Sequence, residues 1–288
     1  PLPLGERDGV RGGLSVTMRF IADFHLHSKF SRATSRDMEV ETLARWAKKK
    51  GITLLGTGDF THPTYFAELR SKLEPLGNGL FKLKKDDQGV QYILTTEVSN
   101  IYTQDGKVRR IHTLIFAPSF EVAEAIRSKL GSLGKLSSDG RPIFSFTAEE
   151  LAKMILDISM DCLIIPAHAW TPWFSIFGAN SGFDSIEECF GEMSSHIYAI
   201  ETGLSSDPEM NWRLSALDSI TLLSNSDAHS PNRLGREANA FDCALDYQEI
   251  AETIRKKDRK KLLFTIEFFP EEGKYHYDGH RQCGIIFS

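Results

Sequence analysis

The chain has 288 residues, 41% hydrophobic and 25% charged, which excludes a disordered or collagen-like polymer. No apolar run approaches the roughly 20 residues of a membrane helix. The net charge is −5, so a nucleic-acid partner would have to meet a local basic surface or bind through metal ions. By length alone, two domains of about 150 residues or one α/β barrel of about 250 are both open.

Residues 1–17 hold glycines and no apolar core segment, and read as a flexible extension rather than a signal peptide. Strand patterns follow at 19–24, 52–57, 92–96, 112–117, 162–167, 197–200 and 220–224. Helix patterns lie between them. At 38–50, Val40, Leu43, Ala44 and Ala47 recur with helical spacing, Asp37 is placed to cap, and Gly51 to stop the helix. A second helix spans 119–133. At 147–158, Thr147 and Glu150 make a capping box. At 207–217, Asp207 caps and Pro208 takes the first helical position. Strand–helix alternation predicts a parallel α/β fold. The absence of GxGxxG and Walker patterns favours a barrel over a nucleotide-binding sheet. The cysteines, Cys162, Cys189, Cys243 and Cys283, are scattered without a CxxC, which predicts a reducing, cytoplasmic setting.

Potential metal ligands fall at the strand ends. Strand one runs into Asp23, His25 and His27, strand two into Asp59 and His62, strand three into Glu97. Strand four opens on His112. The last three end at His168, at Glu201, and at Asp227 with His229. One histidine after a strand is usually a hydrogen-bonded loop residue, and His196, which precedes its strand, fits that description. An HxH alone is weak evidence, since alternate residues of any strand face one way. The ordered set is strong, because strand C-termini of an α/β barrel converge on one mouth.

The motifs DFHLHS (23–28), GTGDFTH (56–62), TTEVS (95–99), IHTLIF (111–116), PAHAW (166–170) and SNSDAHS (224–230) resemble the PHP metallo-phosphoesterase superfamily. The segments 27–38, 166–178, 181–190 and 226–241 resemble its endonuclease Q branch, which cleaves DNA 5′ of deaminated bases (uracil, hypoxanthine, xanthine) and abasic sites. The resemblance implies a distorted (β/α)7 TIM-like barrel over 18–270, with two or three divalent metals at its mouth. It implies that His25, His27, Glu97 and Asp227 hold one metal. Glu97 would bridge to a second on His112 and His168. A third would sit on His229 with Asp59 or His62. Many members carry a further histidine where this chain has Phe30, Ser31 and Arg32, and Asp-His where it has Asp59-Phe60. Asp23 is expected to orient a histidine, and Glu201 to lie behind the ligands or beside the substrate. The branch continues into a zinc-binding module, of which 271–288, with His276, His280 and Cys283, would be the opening.

Clustered divalent ions lower the pKa of bound water to about 7 and clamp the attacking and leaving oxygens. Imidazole-rich ligands suit zinc or manganese, with iron or magnesium as alternatives. Glu97, Asp227 and His229 are the expected catalytic groups. DNA phosphates could meet Lys29, Arg32, Arg36, Arg233 and Arg236, and a base could stack on Trp170 or Trp173. Each of the charges alone reads more readily as a solvated surface group, while the rings read equally as packing residues or as base-stacking ones. The basic run 255–261 reads as a solvated helix end or a DNA track. A phosphatase of small phosphomonoesters and an inactive nucleic-acid-binding barrel are the competing readings. No membrane contact or protein partner is expected.

Overall fold

The computed structural model describes residues 17–85 and 89–273, and the backbone of 278–280 and 285–287. The strands are β1 (Thr17–Asp23), β2 (Leu54–Gly56), β3 (Leu73–Pro75), β4 (Phe81–Leu83), β5 (Gln91–Gln104), β6 (Lys107–Ala117), β7 (Ile143–Phe144), β8 (Leu163–Pro166), β9 (Ala199–Thr202), β10 (Thr221–Ser224), β11 (Ala238–Ala244) and β12 (Leu262–Ile266). The helices are α1 (Val40–Lys50), α2 (Pro63–Lys72), α3 (Phe120–Gly131), α4 (Ala148–Ile158), α5 (Ile186–Phe190), α6 (Pro208–Asn211) and α7 (Tyr247–Arg255). Two further strands, β13 (Asp278–His280) and β14 (Ile285–Phe287), pair antiparallel. His276, Cys283 and residues 1–16 lie outside the described residues, as does the side chain of His280.

The sheet is mixed, not parallel. β2 runs parallel to β1 and β5, and β9 parallel to β10. β5–β6, β6–β8, β1–β11 and β11–β12 are antiparallel. The α/β class is as expected, but the distorted (β/α)7 TIM-like barrel is not found as a closed ring. The ladder β11–β1–β2–β5–β6–β8 is continuous, but β9–β10 forms a separate sheet, so the described strands close no hydrogen-bonded ring. The strands still wrap one core. Alternate residues, among them Phe20, Leu54, Ile93, Leu114, Ile165, Ala199, Leu223 and Phe241, meet in an inner cluster with Tyr247, Ile250 and Ile254 of α7. The intervening residues, such as Leu55, Leu94, Ile115 and Ile164, pack outward with α1 to α4.

All seven expected strands exist, with shifted bounds. β5 and β6 run on past the polar TTEVSN stretch into a hairpin whose Asp105-Gly106 turn has φ of 53° and 74°, the signature of a type I′ turn. Glu39, not Asp37, occupies the N-cap of α1, without a side-chain bond, while Gly51 ends it at φ 72°. The capping box of α4 forms as expected, and Asp207 accepts from the Met210 amide at 2.8 Å. The helix expected over 207–217 stops at Asn211, and a 3-10 turn follows at Ser215–Leu217.

β11 pairs Ala244 with Thr17 and Asn239 with Ala22, so the chain leaves β11 at the start of β1, far from His25. α7 therefore plugs the end of the core opposite the histidines. The basic run 255–261 sits at that far end. Arg255 donates to the Asp161 carbonyl, Lys257 to the Asp218 carbonyl, and Lys261 pairs with Glu249. The run is a tied-down helix end rather than a track beside the site.

Candidate metal centre

His25 and His27 follow β1 and are fully buried. Each ring is pinned from behind. His25 Nδ1 lies 3.0 Å from both oxygens of Glu201, and His27 Nδ1 lies 3.1 Å from Asp59 Oδ1. A carboxylate at Nδ1 fixes the tautomer and turns the Nε2 lone pair inward. His27 Nε2 stands 3.2 Å from Glu97 Oε2 and 3.1 Å from Asp227 Oδ1. His25 Nε2 stands 3.6 Å from Glu97 Oε2.

Glu97 lies four residues beyond Ile93 on β5, on the face that lines the inner core. His112 lies two residues before Leu114 on β6, on the same face. Its Nδ1 is 2.8 Å from Glu97 Oε1, and His168 Nε2 is 3.2 Å from that oxygen. Asp227 and His229 stand at the open side, with side chains 18% and 30% exposed.

Three overlapping groups result: His25, His27 and Glu97; His27, Asp227 and His229; Glu97, His112 and His168. Within each, the ligating atoms lie within 4.8 Å of one another. His25 Nε2, His27 Nε2 and Asp227 Oδ1 are buried without a hydrogen-bond partner. Such orphaned groups are costly unless something fills the space between them. A set of imidazoles and carboxylates, oriented from behind with lone pairs converging, fits divalent cations.

Burial opposes charge on His25 and His27, but Glu201 and Glu97 outweigh it at the first and Asp59 and Asp227 at the second, raising both rings well above the usual imidazole range, so a cation would have to displace their protons. Burial opposes charge on Glu97, but His112, Arg141 and His25 outweigh it and hold the carboxyl well below its usual range. Burial likewise opposes charge on Asp227, and the neighbouring histidines again win. Burial pushes His112 down to about 4 despite Glu97, so its ring is neutral with a lone pair to give. The backbone is strained at the same places. Asp59, His168 and Asp227 have φ of 45°, 31° and 45°, left-handed values that cost non-glycine residues energy and gather at functional sites.

Asp59 and His62 do not join the cluster. Asp59 spends its oxygens on His27 Nδ1, the Ser28 amide at 2.6 Å and the Ser31 hydroxyl at 2.8 Å, which makes it a support for His27. His62 caps α2, accepting from the Tyr65 amide at 3.3 Å, and stacks on Phe30. Asp23 orients no histidine. It accepts from the Ser226 and Gly235 amides, anchoring the loop that carries Asp227. Glu201 lies behind His25 and also accepts from the His168 amide and from Asn225.

Among the expected substrate residues, Arg233, Arg236 and Trp173 line a cavity of about 760 Å³ over the cluster. Lys29 is paired with Glu39 and Glu68, and Arg32 with Asp139. Arg36 is exposed. Trp170 packs in a tilted contact with Phe177, ring centroids 4.8 Å apart, and donates to Asn211, as a packing residue does. Arg141 was not anticipated from the sequence. Its Nη1 lies 3.0 Å from Glu97 Oε2, and it lines the same cavity. A single arginine in a polar loop carries no periodic signal that would single it out.

A mixed α/β sheet with histidine–carboxylate clusters gathered on one side is a scaffold suited to metal-dependent hydrolysis. No protein-family model matches the chain. It is 30% identical over 280 residues to the uncharacterized protein YqxK of Bacillus subtilis, covering 92% of this chain and 70% of that protein. The lesion-specific endonuclease PfuEndoQ of Pyrococcus furiosus superposes with a TM-score of 0.81 at 36% identity, covering 94% of this chain. An endonuclease Q complex with a 27-mer duplex bearing an abasic lesion at its active site gives a TM-score of 0.83 at the same identity. The chain spans 64% and 65% of the length of those two structures. It belongs to the PHP superfamily, in the endonuclease Q branch.

Proposed function

We propose that this protein is a metal-dependent DNA endonuclease that hydrolyses the phosphodiester 5′ of a deaminated base or an abasic site, as a step in DNA repair. The observation that supports this most is the convergence of five histidines and Asp227 around Glu97, in a chain 36% identical to PfuEndoQ over nearly its whole length. Zinc or manganese suits the ligands. His25, His27, Glu97 and Asp227 would hold one ion and Glu97, His112 and His168 another. In a third, His229 and Asp227 would stand where His229 with Asp59 or His62 was expected. Cations there supply Lewis acidity and neutralise charge on the phosphate.

The chain's own groups do the rest. Glu201 and Asp59 hold His25 and His27 in register. Arg141, Arg233 and Arg236 offer guanidinium donors to phosphate oxygens. His229 Nδ1 lies 2.9 Å from the Asp227 carbonyl oxygen and donates its proton there, which leaves Nε2 as the basic atom on the open side. Trp173, 44% exposed at the rim, offers a ring face to a base. Among the described residues no helix is long and apolar enough to cross a membrane. The free cysteines Cys162, Cys189 and Cys243 fit a reducing cytoplasm.

Metal analysis together with mapping of the nick on an abasic duplex tests the reading. At least two ions per chain and a nick on the 5′ side of the lesion are expected. Fewer than two ions, or binding without a nick, favours an inactive nucleic-acid-binding protein.

A further inference from the structure

The β5–β6 hairpin forms a second groove beside the metal cavity. β8 pairs with β6 only over Thr113–Phe116, so residues 107–111 have β5 on one side and the 173–184 loop on the other. That loop is bonded to the hairpin through the Arg110 amide to the Ser181 carbonyl, 3.2 Å, and the His112 amide to the Phe174 carbonyl, 3.1 Å. Between hairpin and loop lies a groove of about 550 Å³, and Lys107, Arg109, Arg110, Asn180 and Asp184 are among its lining. Three cations against one carboxylate is a strongly positive balance in a chain of net charge −5.

Two of the cations are held in place. Arg109 donates to the Gly182 carbonyl and lies 4.0 Å over the Phe183 ring. Arg110 lies 4.7 Å over the ring of Trp173. Stacking occupies the face of a guanidinium and leaves its N–H edges for an acceptor, at a reduced entropic cost. Lys107 is exposed at the rim. Trp173 lines both this groove and the metal cavity, so the two are contiguous. The loop also supports the ligands, through Thr171, which bonds both the Trp173 carbonyl and His168 Nδ1, whereas Lys107, Arg109 and Arg110 pair with none of the ligand side chains among the described contacts.

We propose that this groove is a second nucleic-acid subsite, in which Lys107 and Arg110 hold the phosphates of the DNA strand flanking the cleaved linkage. The proposal rests on the endonuclease reading of the metal centre. The occupant is a phosphodiester chain because fixed guanidinium edges and a lysine suit acceptor oxygens. The aromatic wall also adjoins the metal cavity through Trp173. An acidic protein segment would meet the same charges, and the test separates the two.

Fluorescence anisotropy with the full chain, in EDTA, measures binding of a labelled duplex carrying an abasic analogue as salt is varied. Lys107→Glu and Arg110→Gln are compared with wild type, with nicking by wild type in manganese run alongside. Each variant is expected to weaken binding and to lower the slope of log Kd against log salt by about one. Trimming the duplex on one side of the lesion should cost wild type affinity but cost the double variant little. Lys107 is exposed, so its variant reports on charge even if Arg110→Gln loosens the hairpin. Unchanged affinity and slope in Lys107→Glu, with wild type nicking normally, overturns the groove and spares the endonuclease reading. Wild type that neither binds nor nicks overturns both. Displacement by poly-glutamate with no response to duplex length assigns the groove to an acidic protein instead and overturns the DNA subsite.

Discussion

Glu201 is not part of any of the three ligand groups, yet His25, the His168 amide and Asn225 all converge on it. Its role is to aim His25 and the strained His168 turn. Glu201→Gln keeps the shape but removes the charge behind His25, and partners of this kind are worth about 10–100-fold in metal affinity. Calorimetric zinc titration is expected to show that loss, and wild-type affinity would remove Glu201 from the site. Arg141 faces the opposite way, into the cavity, from 3.0 Å beyond Glu97. A bond to a charged group contributes about 1.5–3 kcal/mol, so Arg141→Ala should raise KM for DNA roughly 10–100-fold with metal content unchanged. Loss of metal instead would make Arg141 a structural counter-charge to Glu97. Asp227→Asn should abolish nicking while the melting curve stays near wild type. Normal activity in that variant would remove Asp227 from the chemistry.

The loop that delivers Arg141 is as constrained as any helix. A Cβ on Gly140 would come within 2.2 Å of Asp59 Oδ2 and 2.3 Å of the Ser31 hydroxyl. Gly140→Ala should therefore push Asp59 off His27 and weaken metal binding, measurable by the same zinc titration. Thr147→Ala removes the cap of α4, whose bonds are to Glu150 and not to the ligand residues, and should cost about 0.5–2 kcal/mol in urea unfolding with metal affinity intact. These two outcomes separate a loop that serves the site from a helix that serves the fold. The contrast also explains what was legible in the sequence. The strands announced themselves because their ends carry histidines and carboxylates, and α4 because its cap is written in two residues. β11 was missed because its small residues Ala238, Ala240 and Ala244 give little apolar contrast, and the long hairpin because Thr95, Thr96, Ser99 and Asn100 interrupt the alternation. Asp59 and His62 were indistinguishable from ligands in sequence. Only their hydrogen bonds, to His27 and to the start of α2, reveal what they do. Arg141 acts across a fold that its neighbours in sequence do not encode.

The whole molecule is a wrapped mixed sheet with an apolar inner core, closed at one end by α7 and by the histidine cluster at the other. Elsewhere the fold buries Glu237, with the half-buried Glu267 near it. Burial pushes Glu237 up to about 9, Glu267 adding repulsion, and burial pushes Glu267 itself up to about 7. The folded chain thus keeps protons that an unfolded carboxyl, near pKa 4.3, has already lost. Their contribution to stability is full below about pH 4 and falls as pH rises through about 7 and then about 9. Glu237→Gln should flatten that decline, so urea midpoints at about pH 6 and about pH 9 should lie closer together than in wild type. Equal separation in both proteins would show that Glu237 ionises normally. On the proposed reading the net negative charge is no obstacle to DNA, because Arg141, Arg233 and Arg236 line one cavity and Lys107, Arg109 and Arg110 line the next. The most direct test of that arrangement is incubation of the protein with manganese or zinc and matched oligonucleotides carrying uracil, hypoxanthine, an abasic site or no lesion. A metal-dependent nick confined to the lesion-bearing strands is expected. No nick on any strand, with turnover of p-nitrophenyl phosphate, would contradict the endonuclease and make the same metal centre a phosphatase.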